Sequence, residues 1–116
     1  MHEASIMLNV FDLAFAQLQE QSAARIVRLR LRVGTLAGVV PEALSFAFEA
    51  MKPDTPAALA EMEVERVPAR LRCRACQCEF EPDGFPAPCP ACGNWAVEVR
   101  QGQELDLVSV EFARED

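Results

Sequence analysis

The chain of 116 residues has a single histidine, His2, and that scarcity excludes a good deal of chemistry. Without a second imidazole there is no open three-ligand metal site of the kind that activates water. No nucleophile stands beside a base either, so the chain is not expected to be an enzyme. Long apolar runs are missing as well. None approaches the ~18 residues that a membrane-crossing helix needs, so no membrane partner is expected. The N-terminus opens on His2 and Glu3 with neither the basic nor the apolar stretch of a secretory signal, which argues against an oxidising compartment and its disulfides. Cations are scarce. Lys and Arg number 11 against 18 Asp and Glu, for a net charge of −7. Phosphate backbones call for a basic face, so nucleic acid is a poor partner. Unpaired thiols without a leader point to the cytoplasm.

What is present is enough hydrophobic residue, 51%, for one modest domain or a small domain with a metal-held lobe. The lobe is marked by Cys73-Arg-Ala-Cys76, twelve intervening residues, and Cys89-Pro-Ala-Cys92-Gly93. Each Cys-x-x-Cys forms a tight knuckle whose sulfurs aim at one point. Two knuckles joined by a hairpin place four thiolates at the corners of a tetrahedron, which is the geometry of structural Zn²⁺. Gly93 relieves the turn under the metal and Pro90 stiffens it. Four thiolates on a divalent ion add about −2 to the charge.

Other readings of the cysteines compete. Two disulfides would leave one of the five Cys over and need an oxidising compartment. A redox pair belongs at a strand-to-helix junction, whereas Pro and Gly surround these pairs. Rubredoxin-type iron is the nearer competitor, since Cys-Pro-x-Cys-Gly suits iron too. Cys78 is read as a spare, partly buried thiol.

At the N-terminus, Met1-His2-Glu3 sets an imidazole next to the α-amine. The amine of Met1 with the amide and imidazole nitrogens of His2 can chelate a metal in fused rings. The amide or carboxylate of Glu3 completes four ligands. Nitrogen-rich, square-planar sites suit Ni(II) or Cu(II). The bland alternative is a disordered terminal residue.

The body reads as α+β. Residues 3–21 form an amphipathic helix with Met7, Val10, Phe11, Ala14 and Leu18 on one face. Residues 25–33 alternate Val27, Leu29, Leu31 and Val33 with Arg28, Arg30 and Arg32, a strand with a solvated arginine face. Pro41 starts a second helix over 39–51, with Val40, Leu44, Ala47, Phe48 and Met51 inward and Phe46 flanking. A second strand over 58–67 sets Glu61, Glu63 and Glu65 against those arginines, which predicts cross-strand ion pairs. Phe80 and Trp95 are suited to pack around the knuckles. Residues 104–112 form a closing strand that returns to the first sheet. The expected layout is two helices on a sheet of about three strands, with a zinc-ribbon-like lobe inserted between Pro68 and Gly102. Residues 1–67 with 104–116 would be one domain and 68–103 the other.

Taken together, Met1-His2-Glu3, the α/β body, the two Cys-x-x-Cys pairs and the closing strand resemble the HypA/HybF family of nickel metallochaperones. Arg32-Val33-Gly34, Glu42-Ala43-Leu44 and Phe46-Ala47-Phe48 look like its usual stretches. The resemblance implies that His2 is the essential Ni(II) ligand, completed by backbone nitrogen of His2 and Glu3 and, in some members, the Met1 amine. It implies structural Zn(II) on Cys73, Cys76, Cys89 and Cys92, with Glu3 bearing on nickel retention or docking. It also implies delivery of nickel to the hydrogenase large subunit with a GTPase of the same pathway, and for some members work with urease maturation proteins. Monomer and homodimer both fit. Some relatives carry His near the zinc knuckles; this chain has none there, so a His-based switch is not expected. The alternative function is a zinc-ribbon adaptor that binds nucleic acid or a protein partner, and a rubredoxin-like electron carrier is a third.

Overall fold

The computed structural model describes residues 3–114 and contains two helices and six strands. Helix α1 spans Glu3–Glu20 and α2 spans Pro41–Met51. The strands are β1 (Arg25–Gly34), β2 (Glu61–Val67), β3 (Arg70–Cys73), β4 (Glu79–Phe80), β5 (Val97–Gln101) and β6 (Leu105–Ala113). They form two three-stranded sheets, β2-β1-β6 and β4-β3-β5. The chain is thus α+β, and it divides into two compact units.

Of the described residues, the first unit holds 3–32, 38–65 and 106–114. The 3.6-residue period of α1 buries Ile6, Met7, Val10, Phe11, Ala14 and Leu18. Helix α2 buries Leu44, Ala47 and Phe48. The two helices meet through Phe11, whose ring lies 5.9 Å from that of Phe48 and stacks on Phe15 at 5.3 Å. Pro41 sits at the start of α2, where its missing N–H costs nothing. In β1 the apolar residues Ile26, Leu29 and Leu31 are buried. Ile26 takes the inner place assigned by alternation to Val27, because the phase slips before Leu29.

The arginine and glutamate rows do pair. Arg28 reaches Glu61, Glu63 and Glu111, Arg30 reaches Glu63, and Arg32 meets Glu65 at 2.7 Å. The surrounding carboxylates, Glu111 foremost, push Arg28 further up from its ordinary pKa. Strand β2 starts at Glu61 instead of residue 58, since Ala58 and Ala60 donate to Thr55 and Ala57 in a turn. Val40 and Phe46 are exposed, at 53% and 76%; the inward stripe of α2 is narrower than its apolar residues suggest.

The second unit holds residues 33–37 and 66–105. Strand β3 is central, with Leu71 opposite Phe80 of β4 and Val99 of β5. A bulge between Arg70 and Leu71 shifts the β5 register. The segment 33–37 is stitched in by its backbone: Gly34 N–H donates to Glu104 O (2.7 Å), Thr35 to Val67 (3.0 Å) and Leu36 to Gly102 (2.7 Å). Trp95 is 64% exposed and does not pack on the knuckles as its position suggested.

Candidate metal centre

The two knuckles are built alike, residue for residue. In the first, Cys73 N–H donates to Cys78 O (2.8 Å) and Gln77 N–H donates back to Cys73 O (2.9 Å). In the second, Cys89 N–H donates to Asn94 O (2.9 Å) and Gly93 N–H to Cys89 O (2.8 Å). The fifth residue of each turn is left-handed, with φ 69° at Gln77 and 76° at Gly93. Glycine takes that conformation freely. Gln77 takes it at a cost, and its side chain is tied down: Nε2 donates to Arg74 O and Oε1 accepts from Arg72. Strand β3 delivers Cys73 directly from its last position.

The four sulfurs of Cys73, Cys76, Cys89 and Cys92 lie within 4.8 Å of one another. Cys73 Sγ is 3.6 Å from Cys92 Sγ, and Cys76 Sγ is 3.6 Å from Cys89 Sγ. A disulfide needs about 2.05 Å, so these cysteines are free thiols. A tetrahedron with metal–sulfur bonds of ~2.3 Å has edges of about 3.8 Å, close to the spacing seen. Cys73 and Cys89 are buried, Cys76 and Cys92 exposed. The donor set therefore fits a tetrahedral thiophilic metal ion, which would cross-link the two knuckles.

The protons are unevenly held. Burial alone pushes Cys89 up, but the amides of Cys92 and Ala91 and the neighbouring thiols outweigh it and bring Cys89 down to about 6. At Cys76 the Cys78 amide favours the thiolate, yet donation to Cys89 and desolvation prevail, and the thiol is pushed up to about 12. Near neutrality Cys76 keeps its proton, and a metal must displace it. Apparent Zn²⁺ affinity is therefore expected to rise with pH, by at least about tenfold per unit between pH 6 and 8. Competition titrations at several pH values check this, and a flat profile would contradict it.

Cys78 is not one of the four converging sulfurs; its thiol donates to Glu79 O at 3.6 Å and lies close enough to the Cys89 thiol to interact with it. Burial raises its pKa, so it is a poor nucleophile.

The second set of candidate ligands begins at Glu3. Met1 and His2 lie outside the described residues. Glu3 opens α1, half-buried, and its Oε2 accepts the backbone N–H of Val40 at 3.1 Å. Val40 is the N-cap residue just before α2, and no side chain of its own caps that helix. Glu3 thus links the start of one helix to the start of the other. No sequence signal connects two positions 37 residues apart in this way.

A family model described as hydrogenase/urease nickel incorporation, metallochaperone, hypA matches residues 1–112. The hydrogenase maturation factor HypA of a Picosynechococcus species is 40% identical over 111 residues, covering 96% of this chain and 98% of the relative. That of Synechococcus elongatus is 42% identical over 111 residues, with the same coverage. The solution structure of the Ni metallochaperone HypA from Helicobacter pylori is similar in fold. Its TM-score is 0.68 at 24% identity, over 99% of this chain and 100% of that one.

Proposed function

The chain belongs to the HypA family of nickel-incorporation metallochaperones, and from that premise we propose that it carries Ni²⁺ on Met1, His2 and Glu3 for hydrogenase maturation. Zn²⁺ on Cys73, Cys76, Cys89 and Cys92 would serve as a structural cross-link. The observation that carries this reading is the family match over residues 1–112, a span that includes both sets of ligands. The four-sulfur cluster supports the zinc assignment.

Chemistry divides the two metals. Soft thiolates select zinc and hold it in a closed site. Imidazole and amide nitrogen favour Ni²⁺, and a site of three consecutive residues, the last of which opens α1, can release its ion. The protein would act as a carrier and not a catalyst, in the cytoplasm. It would hand nickel to the hydrogenase large subunit with a nickel-handling GTPase, or to urease maturation proteins. We take residues 1–67 with 104–116 as the nickel-binding part and 68–103 as the zinc-binding part.

Calorimetric titration of Ni²⁺ into zinc-loaded protein tests the proposal. The parent chain is expected to show a one-to-one event that His2→Ala loses while retaining zinc. Glu3→Ala keeps the backbone nitrogens and is expected to weaken binding by no more than about tenfold, roughly the cost of losing one ordinary hydrogen bond. Identical isotherms for the parent and His2→Ala would remove the N-terminal site and leave a zinc-bearing adaptor.

A further inference from the structure

By residue count the second unit is balanced, with five arginines against five carboxylates at Glu79, Glu81, Asp83, Glu98 and Glu104. Zinc on its four thiolates would add about −2. Three of the carboxylates are engaged. Glu79 pairs with Arg70, Glu98 lies among Arg72, Arg74 and Arg100, and Glu104 accepts the backbone N–H of Gly102. Glu81 and Asp83 are exposed and, among the described residues, have neither a hydrogen bond nor an ion pair. The two unanswered carboxylates of the unit thus stand two positions apart.

Both line a cleft of about 340 Å³ formed by the loop between the knuckles. The rest of its wall is apolar, with Phe80 and Phe85 the largest side chains, and no basic residue lines it. Phe85 is 52% exposed. Four of residues 82–90 are proline, and all four line the cleft. Proline fixes φ, so the shape of the loop is largely set before anything binds and little ordering cost remains. The volume is at the low end of the ~300–1,000 Å³ of ligand clefts, which suits one long side chain and not a folded element.

Aromatic wall and free carboxylates together call for a cation on an apolar stem. Arginine meets both needs: its stem packs on apolar surface, and its planar guanidinium stacks on an aromatic face while donating to carboxylates. We propose that this cleft binds an arginine-bearing segment of a partner protein, with the guanidinium set against Phe85 and held by Glu81 and Asp83. The net charge of −7 draws a basic segment in. The same charge repels nucleic acid and a second copy of the chain. The inference does not depend on the nickel reading; it requires only the folded, zinc-loaded unit.

Fluorescence anisotropy of a labelled peptide of about ten residues, alternating arginine and glycine, titrated with zinc-loaded full chain, tests the inference. Saturable one-to-one binding is expected, weakening several-fold between about 25 and 150 mM salt. Glu81→Gln with Asp83→Asn should weaken it by about tenfold or more. Phe85→Ala should weaken it by about threefold or more, although no charge is lost. A lysine–glycine peptide should bind several-fold more weakly, since charge survives and stacking does not. Asp12→Asn with Glu20→Gln removes the same charge from exposed positions of α1 and should leave the affinity within about twofold. Zinc content and Trp95 emission report whether each variant is folded.

Equal losses in the loop and α1 double variants would reduce the binding to net charge and overturn the proposal. Undiminished binding by Phe85→Ala, or equal affinity for the lysine peptide, would overturn it too. Tighter binding of a single-stranded oligonucleotide than of the peptide would replace the peptide by nucleic acid. Self-association on sedimentation that the loop double variant abolishes would replace it by a second copy.

Discussion

Cys89→Ser is expected to unfold the metal-bearing unit while the helical unit stays folded. The reason is the thinness of the second unit's own core. Its buried side chains are Val33, Ala69, Leu71, Cys73 and Cys89, and two of those five are candidate metal ligands. Segments of about 40 residues or fewer usually need a metal or disulfide to fold, and the five cysteines of this chain form no disulfide. Metal binding to structural tetrathiolate sites contributes on the order of 10 kcal/mol, far more than so small a core can supply. The first unit keeps its own support in Met7, Phe11, Ile26, Leu29, Leu44 and Phe48. Cys89→Ser should therefore lose zinc and shift the emission of Trp95, the sole tryptophan, while the far-ultraviolet signal of α1 and α2 persists. Cys78→Ser should keep its zinc and its spectrum, because that thiol is not one of the four converging sulfurs. A zinc-free Cys89→Ser with unchanged Trp95 emission and amide protection would show that the unit folds without metal.

Gly34→Ala is expected to destabilise the second unit by about 3 kcal/mol or more, near the top of the range for overpacking. A methyl group at Gly34 would run into the carbonyl oxygen and carbon of Gly102 and the amide nitrogen of Gln103. These are backbone atoms, and they cannot rotate away as a side chain could. The opposite wall is equally tight: Gly102 has φ 118°, and a methyl there would lie 2.8 Å from Ala69 Cα. The backbone hydrogen bonds from Gly34 and Leu36 to Glu104 and Gly102 depend on this approach. A fall in Tm of roughly 10 °C should follow for a chain of this size. Gly84→Ala is the control, since nothing lies within 4 Å of its added methyl and its φ is not positive; its Tm should stay within about 2 °C. Equal Tm values for the two variants would contradict the close approach.

Much of this architecture could be read from residue order because local chemistry dictates it. The stripe of Met7, Val10, Phe11, Ala14 and Leu18 fixes the face of α1, and each of those residues is buried. The alternation of Arg28, Arg30 and Arg32 against Glu61, Glu63 and Glu65 fixes a strand pairing, and the ion pairs form. The spacing of Cys73, Cys76, Cys89 and Cys92 fixes a four-sulfur cluster, and the sulfurs converge. What escaped depends on distant partners. Strand β5 is short and gains its place only by pairing with β3. The role of Gly34 comes from Gly102, far along the chain. Gln77 carries no mark of left-handed backbone, yet its place in the first knuckle matches that of Gly93 in the second. Glu3 held to Val40 is likewise a contact made by packing, not by spacing. Trp95 and Val40 show the converse: a place beside the knuckles and a place on the helical stripe point them inward, and both are more than half exposed.

The proposed function holds two metals in two ways, one to be released and one to be kept. Brief exposure of protein loaded with both nickel and zinc to excess EDTA, followed by desalting and metal analysis, tests that division directly. Nickel is expected to be stripped within the mixing time while one zinc per chain remains and Trp95 emission is unchanged. Loss of both metals together, or retention of nickel after zinc has gone, would contradict it.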